Sequence, residues 1–350
     1  GMGSLYLTED LESGELTAVK VLNERNQLDA GMQARLKLEA AAGVRLHHPN
    51  IVRTYKVDDT GATCYVVMEF VKGISLFELL CVVGPLAADQ VADIGLQAAQ
   101  GLEHAHEAGI VHRDVKPENL IIDRDGQVKI LDFGLALLGD ETDSEFSLAM
   151  IFGHDCVGTP DYIAPEQSLD SQQVDGRADI YSLGCTMYFL LTGSTPYPGG
   201  KAADKLEGHR QGTPKPIREH VRDADPAVVA IVEKMMARDP TDRYSSMAEV
   251  VTALGPYARR RELNFSFNRI LSDRAKEAHR RSEVAASQSR ARPRLSSSVA
   301  TASSVAGASR RRAEQIDTLT AGESDTQPTL VANRPGPPRP APRSFSPEDV

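Results

Sequence analysis

The chain has 350 residues, 41% of them hydrophobic and 25% charged, a balance that excludes a fibre or a wholly disordered polyampholyte and suits one large domain with an extension. Its formal charge of −10 hides a split: up to Gly255 there are 22 Lys and Arg against 39 Asp and Glu, and beyond it 17 against 10. No apolar run reaches the roughly 18 residues of a membrane span, and Gly1-Met2-Gly3-Ser4 lacks a basic region followed by an apolar one, so the sequence predicts a cytoplasmic protein with no membrane segment.

In chain order, Leu16 to Leu22 and Tyr65 to Phe70 are rich in Val, Tyr and Phe and bounded by Gly or Asp, which predicts strands. Gln33 to Leu46, between them, reads as a helix. Ser75-Leu76-Phe77-Glu78 has the pattern of a capping box opening a short helix. From Leu86 onward, Val91, Ile94, Ala98, Leu102 and Ala105 recur at steps of three and four, one buried face of a helix. Ile180 to Leu191 is apolar nearly all round and closed by Gly193, which predicts a helix buried inside the larger part of the molecule. Strands early and helices later give an α+β expectation, a small β-rich part followed by a larger α-rich one.

After Leu254 the periodicity fails. Residues 255–281 read as a basic linker with a weak helical pattern, and 282–350, dominated by Ser, Ala, Arg and Pro, as a disordered tail. The runs Arg259-Arg260-Arg261 and Arg310-Arg311-Arg312 suit nucleic acid or an acidic surface. Without interleaved aromatic residues to stack on bases, solvated linker charge is the favoured reading and no nucleic-acid partner is expected. The four cysteines, Cys64, Cys81, Cys156 and Cys185, form no Cys-x-x-Cys pair and are expected to be buried reduced thiols. His104 and His106, two apart on a helix, face different ways and make no metal pair.

The chemistry is concentrated in two stretches. Val111-His112-Arg113-Asp114-Val115-Lys116-Pro117-Glu118-Asn119 lies between a helix and the strand-like Leu120-Ile121-Ile122. It offers an acceptor for a hydroxyl proton, a cation for a phosphate and an oxygen ligand for a metal. Asp132-Phe133-Gly134, after the strand Val128 to Leu131, adds a second hard oxygen ligand that with Asn119 would make a magnesium site. Upstream, Ala18-Val19-Lys20 puts a Lys on a strand, and Glu39 on the next helix can pair with it. In this order and spacing these residues closely resemble the eukaryotic-type protein kinase family, with the flavour of its bacterial Ser/Thr members.

The resemblance implies a two-lobed kinase-like fold over residues 1–254 and the use of ATP and Mg2+. Lys20 would hold the α- and β-phosphates and Glu39 would orient Lys20. Asp114 would accept the proton of the substrate hydroxyl, Lys116 would neutralise the γ-phosphate, and Asn119 and Asp132 would bind magnesium. Met68 resembles the gatekeeper, and Glu69 and Val71 the hinge that reads the adenine edge. Gly1, Gly3, Leu5 and Ala18 would complete the nucleotide site. Gly158-Thr159-Pro160 to Pro165-Glu166 resembles the end of an activation segment, with Thr159 near Asp114 and Lys116, Glu166 in a buried pair with Arg243, and Asp179 anchoring the catalytic loop. Lys116 resembles the Ser/Thr branch, so the partners would be proteins with Ser or Thr acceptors. His112 is expected to be packed rather than a base, since Asp114 fills that role.

Two departures follow. Gly1-Met2-Gly3-Ser4-Leu5-Tyr6 matches only the end of the family's Gly-rich loop, so the first strand is expected to be missing from a chain that is part of a longer one. A non-catalytic scaffold is the alternative that this leaves open. The residue four before Thr159 is Asp155, and the sequence suggests that its carboxylate pairs with Arg113 where relatives use a phosphate, with Thr142, Ser144 or Ser147 as the competing phosphoacceptors. Ser296, behind Arg292 and Arg294, is a candidate for autophosphorylation.

Overall fold

The first part is an antiparallel sheet with strand order β1-β2-β4-β3, made of β1 (Gly3–Glu9), β2 (Leu16–Leu22), β3 (Thr54–Asp58) and β4 (Tyr65–Glu69). The computed structural model describes residues 3–11, 13–22, 30–58, 63–133, 160–169 and 174–263, with isolated positions beyond. Successive side chains of a strand face opposite ways, so Ala18, Lys20 and Leu22 share one face of β2. The register places Leu5 opposite Lys20 on β1, and on β4 it places Met68 opposite Ala18 and Val66 opposite Lys20. Helix α1 (Ala30–Arg45) lays Leu36 and Ala40 against that face, and with Ala18, Leu22, Val66 and Met68 they form the first core. The observed helix starts and ends slightly earlier than the expected Gln33 to Leu46.

The second part is helical around a three-stranded antiparallel sheet, β5 (Gly73–Ser75), β6 (Leu120–Asp123) and β7 (Val128–Ile130). Helix α2 (Leu76–Val83) opens on the expected capping box: the Glu78 N–H donates to Ser75 Oγ at 3.2 Å, and the Ser75 N–H donates to Glu78 Oε2 at 2.9 Å. Helix α3 (Ala88–Glu107) buries the predicted face, and α4 (Arg177–Thr192) is buried from Ala178 to Leu191. Gly193, at φ +73°, closes α4 in the left-handed conformation that glycine adopts without strain. Among the described residues four helices complete this part: α5 (Ala202–Gln211), α6 (Ile217–His220), α7 (Pro226–Met235) and α8 (Met247–Leu254). The two parts meet beside the sheets, where the Val52 N–H donates to Ile130 O at 2.9 Å and the Ile130 N–H to Asn50 O at 2.8 Å.

The structure corrects two expectations. Cys64 and Cys185 are buried as expected, but Cys81 is exposed, because the end of α2 that carries it turns Val82 and Val83 to solvent as well. In the basic stretch 255–281, residues 258–263 are extended while positions 269, 270, 272, 276 and 280 are helical, and the exposed Arg260 and Arg261 are paired with Asp93 and Asp89 instead of being loose solvated charge. After α8 the chain turns and runs extended over α3 and the β6–β7 turn, burying Leu263. Gly1–Phe267 forms one compact unit and Asn268–Val350 is a second. Among the described residues no helix is long and apolar enough to cross a membrane. The tail 282–350, with Arg310 to Arg312 and Ser296, lies outside the described residues, as does Cys156.

Candidate active site

Six residues separate the C-cap of α3 from Val115, and the loop they form carries Asp114, the expected proton acceptor. Arg113 takes φ +65°, a left-handed conformation that an arginine adopts only under constraint. The constraint comes from α4. The wholly buried Asp179 carboxylate accepts the N–H of His112 at 2.8 Å and of Arg113 at 2.7 Å, the anchoring expected of it. Gln167 holds the other side of the same residue, its Nε2 donating to Arg113 O at 2.7 Å. His112 is packed, not poised. Its Nδ1 accepts the Asp114 N–H at 3.2 Å, which leaves Nε2 to donate to Leu131 O at 2.8 Å, and its ring tilts against Phe133 at 4.7 Å.

Asp179 is itself balanced by His106, whose Nε2 stands 2.8 Å from Oδ2. Burial raises the Asp179 carboxyl, but the His106 hydrogen bond and charge, with the His112 N–H, hold it below its ordinary value. Burial pulls His106 down, while the Asp179 hydrogen bond and the charges of Asp179, Glu103 and Asp175 together carry it above 6.5. His106 and Gln167 are the supporting residues that sequence reasoning missed. Their contacts lie 73 and 54 residues away along the chain, and only the fold brings them together.

The loop then turns its working groups one way. Lys116 Nζ donates to both oxygens of Asp114, at 2.8 and 2.7 Å, and Asn119 Nδ2 donates to Asp114 O at 2.8 Å and Oδ2 at 3.0 Å. With its amide nitrogen so engaged, Asn119 has its amide oxygen left to meet a cation. The pairing of β6 with β7 brings Asn119 alongside Asp132, since the Leu131 N–H donates to Asn119 O at 2.8 Å. Asp132, also left-handed at φ +56°, receives Lys20 Nζ on Oδ1 at 3.0 Å. Among the described residues no three His, Cys, Asp or Glu side chains cluster as a metal site. One amide and one carboxylate suit a hard cation that takes its remaining ligands from water and phosphate, as magnesium does.

Lys20 therefore brings the sheet to the loop. Ala18, Lys20, Leu5 and Met68 lie on one sheet face, and the exposed Leu5 stands over it. Val71 packs against the first core, and Glu69 pairs with Lys129 at 2.9 Å. Glu39 lies on α1, but its side chain is outside the described residues, as are Gly1 and Thr159 and the stretch holding Thr142, Ser144, Ser147 and Asp155. Further along, Glu166 and Arg243 form the expected pair, bidentate at 2.6 and 2.9 Å, with the guanidinium wholly buried over the Tyr181 ring.

Residues 1–253 match the protein kinase domain family. The Ser/Thr protein kinase PknB of Mycolicibacterium smegmatis is 36% identical over 255 residues, covering 71% of this chain and 40% of its own. Pkn1 of Myxococcus xanthus is 39% identical over 258 residues, covering 73% and 36%. The chain thus spans about two fifths of the length of these curated relatives. Among solved structures, the PknI kinase domain of Mycobacterium tuberculosis superposes with a TM-score of 0.56 at 25% identity, covering 73% of this chain and 91% of that one. Rad53 1–466 in complex with AMP-PNP gives 0.58 at 26% identity, covering 74% and 62%.

Proposed function

The chain belongs to the protein kinase family, and from that premise we propose that it transfers the γ-phosphoryl group of ATP to Ser and Thr hydroxyls of proteins. The observation that carries this reading is the Asp114 carboxylate, held by Lys116 and Asn119 beside a strand pair that presents Asp132 to Lys20. The relatives' names supply the Ser/Thr branch, and the AMP-PNP on the Rad53 structure supports an ATP-shaped site. The family match gives the scaffold alternative no support.

In this reading Asp114 orients the acceptor hydroxyl and takes its proton as the oxygen meets phosphorus. Lys116, already at the Asp114 carboxylate, holds positive charge where the transferring phosphoryl oxygens gather negative charge. Lys20 holds the α- and β-phosphates, Glu39 orients Lys20, and Thr159 borders Asp114. Gly1, Gly3, Leu5, Ala18 and Met68 enclose the nucleotide, and the backbone of Glu69 and Val71 reads the adenine edge. Asn119 and Asp132 would hold magnesium, which would supply neutralising charge to the phosphates. The domain is residues 1–254 with a basic extension. It works in the cytoplasm, where ATP is available, and needs no nucleic-acid partner.

The test is incorporation of labelled phosphate from ATP into peptide libraries containing only Ser and Thr or only Tyr as acceptors, with and without Mg2+. Magnesium-dependent labelling of the Ser/Thr library is expected. Labelling confined to the Tyr library would contradict the substrate class.

A further inference from the structure

The chain's charge split has a physical meeting point. Helix α3 carries Asp89 and Asp93 one turn apart, both facing the basic segment that leaves the domain. Arg261 Nη2 donates to Asp89 Oδ2, and Arg260 Nε stands 3.5 Å from Asp93 Oδ2. The backbone joins in: the Arg259 N–H donates to Asp89 O at 3.1 Å and the Leu263 N–H to Arg124 O at 2.9 Å. Leu263 is buried beneath. The segment lies so close to the β6–β7 turn that a Cβ on Gly126, at φ +78°, would meet Arg261 O at 2.8 Å.

Asp93 makes the contact more than a surface decoration. Its side chain is only 12% exposed, and among the described residues Arg260 is its ion-pair partner. A carboxylate that buried needs a counter-charge and hydrogen bonds around it to offset its lost hydration. Its hydrogen bond comes from Gln97 Nε2 at 2.8 Å, and the same amide nitrogen donates to Gly126 O at 2.8 Å. Gln97 Oε1 in turn accepts the Val128 N–H at 2.9 Å and Asn50 Nδ2 at 3.2 Å, and Asn50 O accepts the Ile130 N–H at 2.8 Å. Val128 to Ile130 is the strand that delivers Asp132. A line of polar contacts thus runs from Arg260 through Asp93, Gln97 and Asn50 to Ile130 on β7, two residues before the Asp132 that meets Lys20.

We propose that Arg259 to Leu263 is an ionic latch, a clasp of the basic extension on the acidic face of α3 that positions β7 and, through it, Asp132. The latch is read from contacts alone, and only its effect on Asp132 rests on the kinase reading. Whatever modifies, pulls or competes for the extension would then act on the nucleotide site from the far side of the domain. Arg260 and Arg261 are positioning residues here and touch no substrate. The exposed Arg261 pair makes the clasp sensitive to salt.

The test uses the full chain and two paired variants. Arg260→Glu with Arg261→Glu breaks the clasp without touching the core, and Asp89→Arg added to that pair rebuilds the Asp89 contact with the charges exchanged. Amide exchange is read at Leu263, Val128 and Ile130, beside the dissociation constant for Mg-ADP. The broken clasp is expected to speed exchange at all three amides by about tenfold or more and to weaken Mg-ADP about threefold, and the exchanged pair to recover much of both. An unprotected Leu263 amide in the unaltered chain would overturn the latch. Unchanged exchange at Val128 and Ile130 in the broken clasp would overturn its action on β7. Exchange needs neither substrate nor nucleotide, so neither failure can be confused with failure of the kinase reading.

Discussion

At the scale of single residues the site is built on two side chains in an unfavourable backbone region. Holding Arg113 and Asp132 left-handed costs roughly 1–2 kcal/mol each, and for Arg113 the surrounding hydrogen bonds offset it. Asp179→Asn keeps the shape but replaces one acceptor oxygen by a donor, so that an N–H of His112 or Arg113 loses its partner. We expect a loss of about 2–4 kcal/mol in urea unfolding and a fall in turnover with little change in nucleotide affinity. His106 adds a pH dependence. Its folded pKa lies above 6.5, so the stability its charge contributes is fully present below about 6.5 and disappears as pH rises through the folded value. Asp179, held low, keeps its charge throughout that window. Unfolding free energies measured from about pH 5.5 to 8.5 should therefore show His106→Gln most destabilised at the acid end. A difference from the unaltered chain that stayed constant with pH would contradict the pairing.

At the scale of elements, close packing of α3 on β7 fixes the height of the loop. A Cβ on Gly101 would meet Ile130 Cδ1 at 2.7 Å and Asn50 O at 3.0 Å. Because backbone is one of the two obstacles, Gly101→Ala should cost about 1–3 kcal/mol, although alanine favours helix, and thermal melting checks it. Arg243→Ala should cost about 3 kcal/mol by the same measurement, since it leaves Glu166 unpaired and removes the donor to Ala237 O, Arg177 O and Arg238 O. Some of this architecture is visible in the sequence for a physical reason. Helix α3 has one wet face, so its period of 3.6 shows in Val91, Ile94, Ala98, Leu102 and Ala105, whereas α4 is dry all round and shows only as an apolar run with a glycine stop. The extended course of 258–263 leaves no such mark, because its contacts are ion pairs and backbone bonds to residues more than a hundred positions away. Composition alone favoured solvated charge there, and the acidic partner appeared only once α3 was in place.

At the scale of the whole molecule, a sheet presents Lys20, a helical body presents Asp114, Lys116 and Asn119, and β7 delivers Asp132 between them. These five could be picked out of the sequence because the phosphoryl transfer proposed for the chain admits few residue types in each role. Their supports are not, because many hydrogen-bonding side chains could serve where His106, Gln167, Asn50 and Gln97 do. Proton acceptance by Asp114, with nucleotide binding left to other residues, is tested in Asp114→Asn. Turnover on a Ser/Thr peptide should fall by about 10²- to 10⁴-fold while the Mg-ATP dissociation constant stays within about twofold of the unaltered chain. Unchanged turnover, or a loss of turnover explained by a matching loss of nucleotide affinity, would contradict it.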